Sequence, residues 1–262
     1  MKDMPVSYHR ILDRLLRQEE RFLRRTTLSL PTEALEKKIP PHVRRTLNSA
    51  FTKAFGVLFG PGGTRLVERT YPKEKLAREA RLWETPLPPH EARQALRRMN
   101  WKRAASRNVE RCVAGAEGTA LGLLGIGLPD IPILLGWLLR SLYQNAVQYG
   151  FSYESREERT YLLRLLQGAL SQGEERRLCS ARADELGRAL DHGWPVDCDL
   201  EAEIGKTSAL LADRLLLVKF IQGVPLVGVV GGAANLSLSG TVSRYGTLKY
   251  KKRFLERKVR GL

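Results

Sequence analysis

Histidine and cysteine are the side chains here best suited to nucleophilic or metal chemistry, and the sequence holds four of one and three of the other. No two of His9, His42, His90 and His192 stand at a ligand spacing on one helix face. Cys198 follows His192 by six residues, with Asp191, Asp197 and Asp199 close by. A Cys–His nucleophile or a zinc site needs at least one further ligand, which the sequence does not place. The region reads as an exposed acidic loop. Cys112 and Cys179 fall within helical patterns and read as small core residues. Gly60-Pro61-Gly62-Gly63-Thr64 lacks the Lys-Ser/Thr ending of a phosphate loop. No metal site and no cofactor is expected, and no catalytic residue is assigned.

More can be read from polar residues embedded in apolar sequence. Residues 114–139 and 209–239 are the two most apolar stretches, and in or beside them stand Glu117, Asp130, Arg140, Asp213, Arg214 and Asn235. A buried charge must be paired or hydrogen-bonded, or its pKa shifts. Asp130 has a local role as the N-cap of a helix carrying Pro132 in its first turn. Asn235 can bridge two helices, since its amide donates and accepts. Glu117 has only apolar neighbours three and four residues away, so its partner must be Arg140, Arg214 or another base brought close by the fold, unless it faces solvent. A ligand pocket lined by these groups is the alternative.

Each apolar stretch is long enough to cross a bilayer but is broken in its middle, at Gly127-Leu128-Pro129-Asp130 and at Gly223-Val224-Pro225. A charge near the bilayer centre costs roughly 2.5–3.5 kcal/mol on insertion scales. Two helical hairpins with glycine-lined contacts are therefore expected, not two membrane spans. Gly118 and Gly122 stand four apart, as do Gly228 and Gly232, a spacing that lets helix backbones approach closely.

The elements that must position these groups are helical. Val43, Leu47, Phe51, Ala54 and Leu58 recur at three and four residues, as do Leu162, Leu165, Leu166 and Ala169. No segment alternates with period two. Helices are expected over about 6–25, 42–59, 64–84, 89–109, from Asp130 to Tyr149-Gly150, after a capping box at Ser155, over 199–222, and from 226 or later to about 259. Gly60–Gly63 is expected to be a loop, and His192-Gly193-Trp194-Pro195 a stop. The fold class is all-α, with about eight to ten helices and a core of two glycine-rich apolar hairpins. Residues 1–88 form a basic helical N-terminal region and residues 89–262 a helical domain. The charged first helix is expected to dock weakly.

The two hairpins and the chain's end resemble the EcsC protein family. The resemblance rests on Gly127-Leu128-Pro129-Asp130 with its helix to Tyr149-Gly150, on Gly223-Val224-Pro225, Val227-Gly228, Gly231-Gly232 and Asn235, and on Tyr250-Lys251-Lys252-Arg253-Phe254-Leu255-Glu256. It covers roughly residues 90–258. The family is bacterial and takes its name from a protein encoded beside an ABC-type exporter. The resemblance implies an all-helical, cytoplasmic or membrane-peripheral protein and supplies no catalytic residues.

Charge points to a partner. The 262 residues carry 44 Lys and Arg against 28 Asp and Glu, a net of +16. Both ends are basic and the middle is mildly acidic, which suits a polyanionic surface. Lys249, Lys251, Lys252, Arg253 and Arg257 crowd one helical stretch beside Tyr245 and Phe254 and are the expected contacts with anionic lipid. The expected function is a non-enzymatic accessory protein, cytoplasmic or peripheral at the inner face of the plasma membrane, linked to an ABC transporter. Its partner would be an anionic membrane surface or a membrane protein. The alternatives are a hydrolase-type enzyme with its pocket between the hairpins, and a helical nucleic-acid binder. The last is disfavoured because aromatics are only 7% and no recognition motif interleaves the charges.

Overall fold

Local chemistry sets the helix boundaries in the computed structural model, which describes residues 6–24, 40–81, 130–222 and 230–261. Among the described residues there are nine helices and no strand: α1 Val6–Leu23, α2 Pro41–Phe59, α3 Pro61–Glu68, α4 Lys73–Arg81, α5 Asp130–Gln148, α6 Arg156–Leu170, α7 Gly173–Asp191, α8 Leu200–Gln222 and α9 Val230–Arg260. The all-α expectation holds. The helix expected over 89–109 and the first arm of the first hairpin lie outside the described residues.

Ser155 caps α6 by accepting the Glu158 N–H at 3.2 Å, and Asp199 caps α8 by accepting that of Ala202 at 3.0 Å. Three helices end on left-handed glycines, at Gly150, Gly193 and Gly261. Gly150 has φ +78°, with Phe151 N–H donating to Ala146 O at 2.9 Å and Gly150 N–H to Val147 O at 3.1 Å. Gly193 repeats the pattern at the end of α7, where Trp194 N–H reaches Ala189 O at 3.0 Å. One expectation is corrected. Gly60–Gly63 is not a loop, because α3 begins at Pro61 and only Gly60 interrupts. Proline suits a first helical position. Gly63 lies so close to the end of α2 that a Cβ there would overlap Val57 O and press on Leu58 Cα.

The longest described helix, α9, spans about 46 Å and touches α1, α5, α6, α7 and α8. Val242, Tyr245, Leu248, Tyr250, Phe254 and Leu255 are all buried, so apolar side chains surround the helix. At its crossing with α5, a Cβ on Gly246 would meet Leu142 Cδ2 at 2.5 Å and Asn145 Nδ2 at 2.9 Å. Asn145 is fully buried there, donating to Ser243 O at 3.4 Å and accepting from the Thr247 hydroxyl at 3.0 Å. The two arms of the second expected hairpin fall in α8 and α9, which touch each other, and its glycine-lined contact lies outside the described residues. Its turn lies outside the described residues.

The first helix does not dock weakly. Tyr8, Leu15, Glu19 and Phe22 form a buried face of α1, which lies against α9 and α7. Phe22 stacks on Tyr245 with ring centroids 5.0 Å apart, and Arg176 donates to Phe22 O at 3.2 Å. One hydrophobic core runs from Tyr8 to Leu255 through α1, α2, α5, α6 and α9. No described helix is long and apolar enough to cross a membrane.

Candidate functional site

Among the described residues, a dense set of charged groups lies inside the fold, along the second half of α9. Lys249 is almost fully buried. Its ammonium donates to Glu19 Oε1 at 2.5 Å, Asp184 Oδ1 at 2.7 Å and Ser180 O at 3.2 Å. An ammonium has three N–H groups, and all three are satisfied. Lys252, one turn on, donates to Glu19 Oε2 at 2.8 Å and Asp184 Oδ2 at 2.7 Å. Two lysines and two carboxylates thus alternate in a closed ring, and each carboxylate bridges both cations. The ring joins α1, α7 and α9.

Arg253 forms a second cluster. Its two terminal nitrogens donate to both oxygens of Glu158, at 2.8 and 2.9 Å, and Nε donates to Asp191 Oδ1 at 2.9 Å. The guanidinium carbon lies 4.3 Å from the Phe151 ring centre and 4.9 Å from that of Tyr161. Planar, forked donors of this kind suit a paired carboxylate in a way that lysine cannot. Burial opposes the charge on Arg253, but Glu158 and Asp191 hold its pKa above the ordinary value. Burial also lifts Asp191 to about 6, even with Arg253 beside it.

The five α9 cations expected to face anionic lipid are therefore placed differently. Lys249, Lys252 and Arg253 are engaged inside the fold, because the apolar face of α9 that carries them is itself buried. Lys251 is buried too, and burial lowers its pKa. Arg257 is half-buried, its guanidinium 5.4 Å from the Phe151 ring centre.

Among the described polar residues of the apolar stretches, Asp213 and Arg140 take separate partners. Asp213 pairs with Arg44 at 2.7 Å and ties α8 to α2. Arg140 donates to Thr70 O at 3.2 Å, with its guanidinium over the Trp137 ring. Arg214 is half-buried on α8. Asp130 opens α5 and Asn235 lies in α9, but Glu117 and the side chains of Asp130 and Asn235 lie outside the described residues. Cys179 is buried, as expected. Around Cys198, Asp199 is the α8 cap, Asp191 is held by Arg253, and the His192 ring stacks on Trp194 at 4.5 Å. Among the described residues no three His, Cys, Asp or Glu side chains converge as metal ligands.

A third cluster joins α3 and α4 to the loop after α5. Tyr153 OH donates to Glu68 Oε1 at 2.6 Å and accepts from Tyr71 OH at 2.9 Å. Lys73 also donates to Glu68 Oε1. Burial opposes the charge on Glu68, but these donors hold its carboxyl below the usual range. Tyr143 stacks on Tyr153 at 4.1 Å.

Sequence reasoning missed Glu19, Glu158, Asp184 and Asp191 as partners of α9. One signal was present. Glu19 falls on the same helical face as Leu15 and Phe22, and an acid on an apolar stripe calls for a buried partner. The two α9 clusters take three cations and four acids, so they hold none of the chain's positive excess. Among the described residues, exposed cations gather over α2–α4, where Arg45, Lys53, Arg65, Arg69, Lys75, Arg78 and Arg81 are all exposed.

Comparison with known proteins extends the relationship beyond the hairpins. The profile of the EcsC protein family matches residues 9–255, which includes α1 to α4. The "Uncharacterized protein YdbA" of Bacillus subtilis (strain 168) is 25% identical over 247 residues, spanning 87% of this chain and 84% of that protein. "Protein EcsC" of the same strain is 32% identical over 130 residues, spanning 48% of this chain and 51% of that protein. No solved structure matches.

Proposed function

The chain belongs to the EcsC protein family, and from that premise we propose that it is a non-enzymatic accessory protein acting at an anionic membrane surface. The observation that carries this reading is the division of charge. Two buried cations of α9, Lys249 and Arg253, are consumed by interior acids that hold the helices together. The exposed cations of α2–α4 face outward with one exposed acid, Glu74, among them, while Glu68 is turned in toward Lys73 and Tyr153. A basic residue close to an anionic leaflet contributes roughly 1 kcal/mol, so a few suffice for reversible attachment. The family's namesake context adds the proposal that this protein serves an ABC transporter.

Sedimentation with phosphatidylserine vesicles tests the reading. The full chain is expected to pellet with them at low salt, to be released as salt screens its charge, and to ignore phosphatidylcholine vesicles. Failure to bind phosphatidylserine would overturn the membrane-surface role.

A further inference from the structure

The outer face of α2 combines positive charge with aliphatic surface. Positions 42, 45, 46, 49, 53 and 57 follow one another along one helix face, so they form a single strip about 22 Å long. His42, Arg45, Lys53, Val57 and Pro132 line a groove between this strip and the start of α5. The groove has no acidic side chain among its described lining residues. The opposite face of α2 is anchored in the core through Leu47, Phe51 and Phe55, which makes the strip a rigid platform.

Large aliphatic side chains on α2, on α3 and in the first turn of α5 are left in water. Val57 is 64% exposed, Ile133 beside Pro132 is 50% exposed, and Leu66 on α3 is 61% exposed. A nucleic acid would neutralise the cations, but its backbone offers no apolar phase to these side chains. The boundary of an anionic bilayer offers both, headgroup charge for the lysine and arginine and an interfacial layer for the aliphatic groups.

We propose that the α2 strip, with Val57 and Ile133, is the face that seats on an anionic phospholipid surface. Arg45 and Lys53 lie among the headgroups, and the two aliphatic side chains enter the interfacial layer. The proposal rests on the membrane-surface reading above and names its contact face, which is separate from the α9 cations.

The test uses the full-length chain and vesicles of phosphatidylserine in phosphatidylcholine at low salt. Each cation near such a surface strengthens binding about fivefold. Arg45→Glu combined with Lys53→Glu is expected to weaken binding at least about tenfold. Arg10→Glu with Arg17→Glu makes the same charge change on exposed positions of α1 and is expected to change binding less than about threefold. Val57→Ser with Ile133→Ser is expected to lower the salt concentration at which the protein is released. All six positions are exposed, and an unchanged helical circular dichroism spectrum confirms the fold of each variant. If wild type binds and the α2 and α1 pairs weaken it equally, the α2 face is wrong while the membrane reading stands. If wild type binds duplex DNA and no vesicle, both are overturned.

Discussion

A buried ammonium survives only if every N–H finds an acceptor, and Lys249 finds Glu19, Asp184 and Ser180 O. Arg253 meets the same requirement with Glu158 and Asp191. Removing one side of such a pair strands the other, at a cost of about 3–5 kcal/mol. Arg253→Leu should lose about that much stability in urea unfolding. A loss near zero would mean that Glu158 and Asp191 reach water without it. Asp191 also sets a pH dependence. Its folded pKa of about 6 exceeds the ordinary 3.8, so the folded chain holds this proton more tightly than the unfolded one. That contribution is complete below pH 3.8 and is lost as pH rises through about 6. Against Asp191→Asn, wild type should therefore lose up to about 3 kcal/mol between those limits; parallel stability curves would contradict the assignment. Residue types alone disclosed the caps, since Ser155, Gly150 and Gly193 act on neighbours a few positions away. They did not disclose the ion pairs, whose partners come from helices up to 233 residues apart in sequence.

Helices show the same contrast between local and distant causes. The spacing of Leu47, Phe51, Ala54 and Leu58 located α2 and its buried face correctly, because periodicity is a property of the element itself. Gly60–Gly63 misled, because glycine and proline usually mark a turn, whereas here Gly63 permits close contact between α3 and Val57 O. A matched pair of substitutions separates the two roles. Gly62 has open space where a methyl group would stand, so Gly62→Ala should be neutral or stabilising by up to about 1 kcal/mol. Gly63→Ala forces backbone apart and should destabilise by about 1–3 kcal/mol or more. Thermal unfolding of the two variants decides; equal melting temperatures would remove the close-approach argument. Charge on α1 suggested a loosely attached helix, yet Leu15, Glu19 and Phe22 share its buried face. A Phe22→Ala change should cost about 3–5 kcal/mol in urea unfolding, the range for a core phenylalanine. A surface-like loss below about 0.5 kcal/mol would restore weak docking.

For the whole molecule, the composition announced a net charge of +16 but not its distribution between interior and surface. Counting charges along the chain singled out the α9 cluster, since Lys249, Lys252 and Arg253 stand close together in sequence. The fold turns these three inward and leaves most cations of α2–α4 exposed, so sequence density and surface density differ. The central claim is that α9 cations hold the fold together while α2–α4 cations meet the partner. Lysine acylation under native conditions, read by mass spectrometry, tests it most directly. Lys53 and Lys75 are exposed, whereas the Lys249 side chain is 0% exposed. The account predicts rapid labelling of Lys53 and Lys75, suppression of Lys53 labelling by phosphatidylserine vesicles, and labelling of Lys249 only after unfolding. Native labelling of Lys249 as fast as that of Lys53 would contradict it.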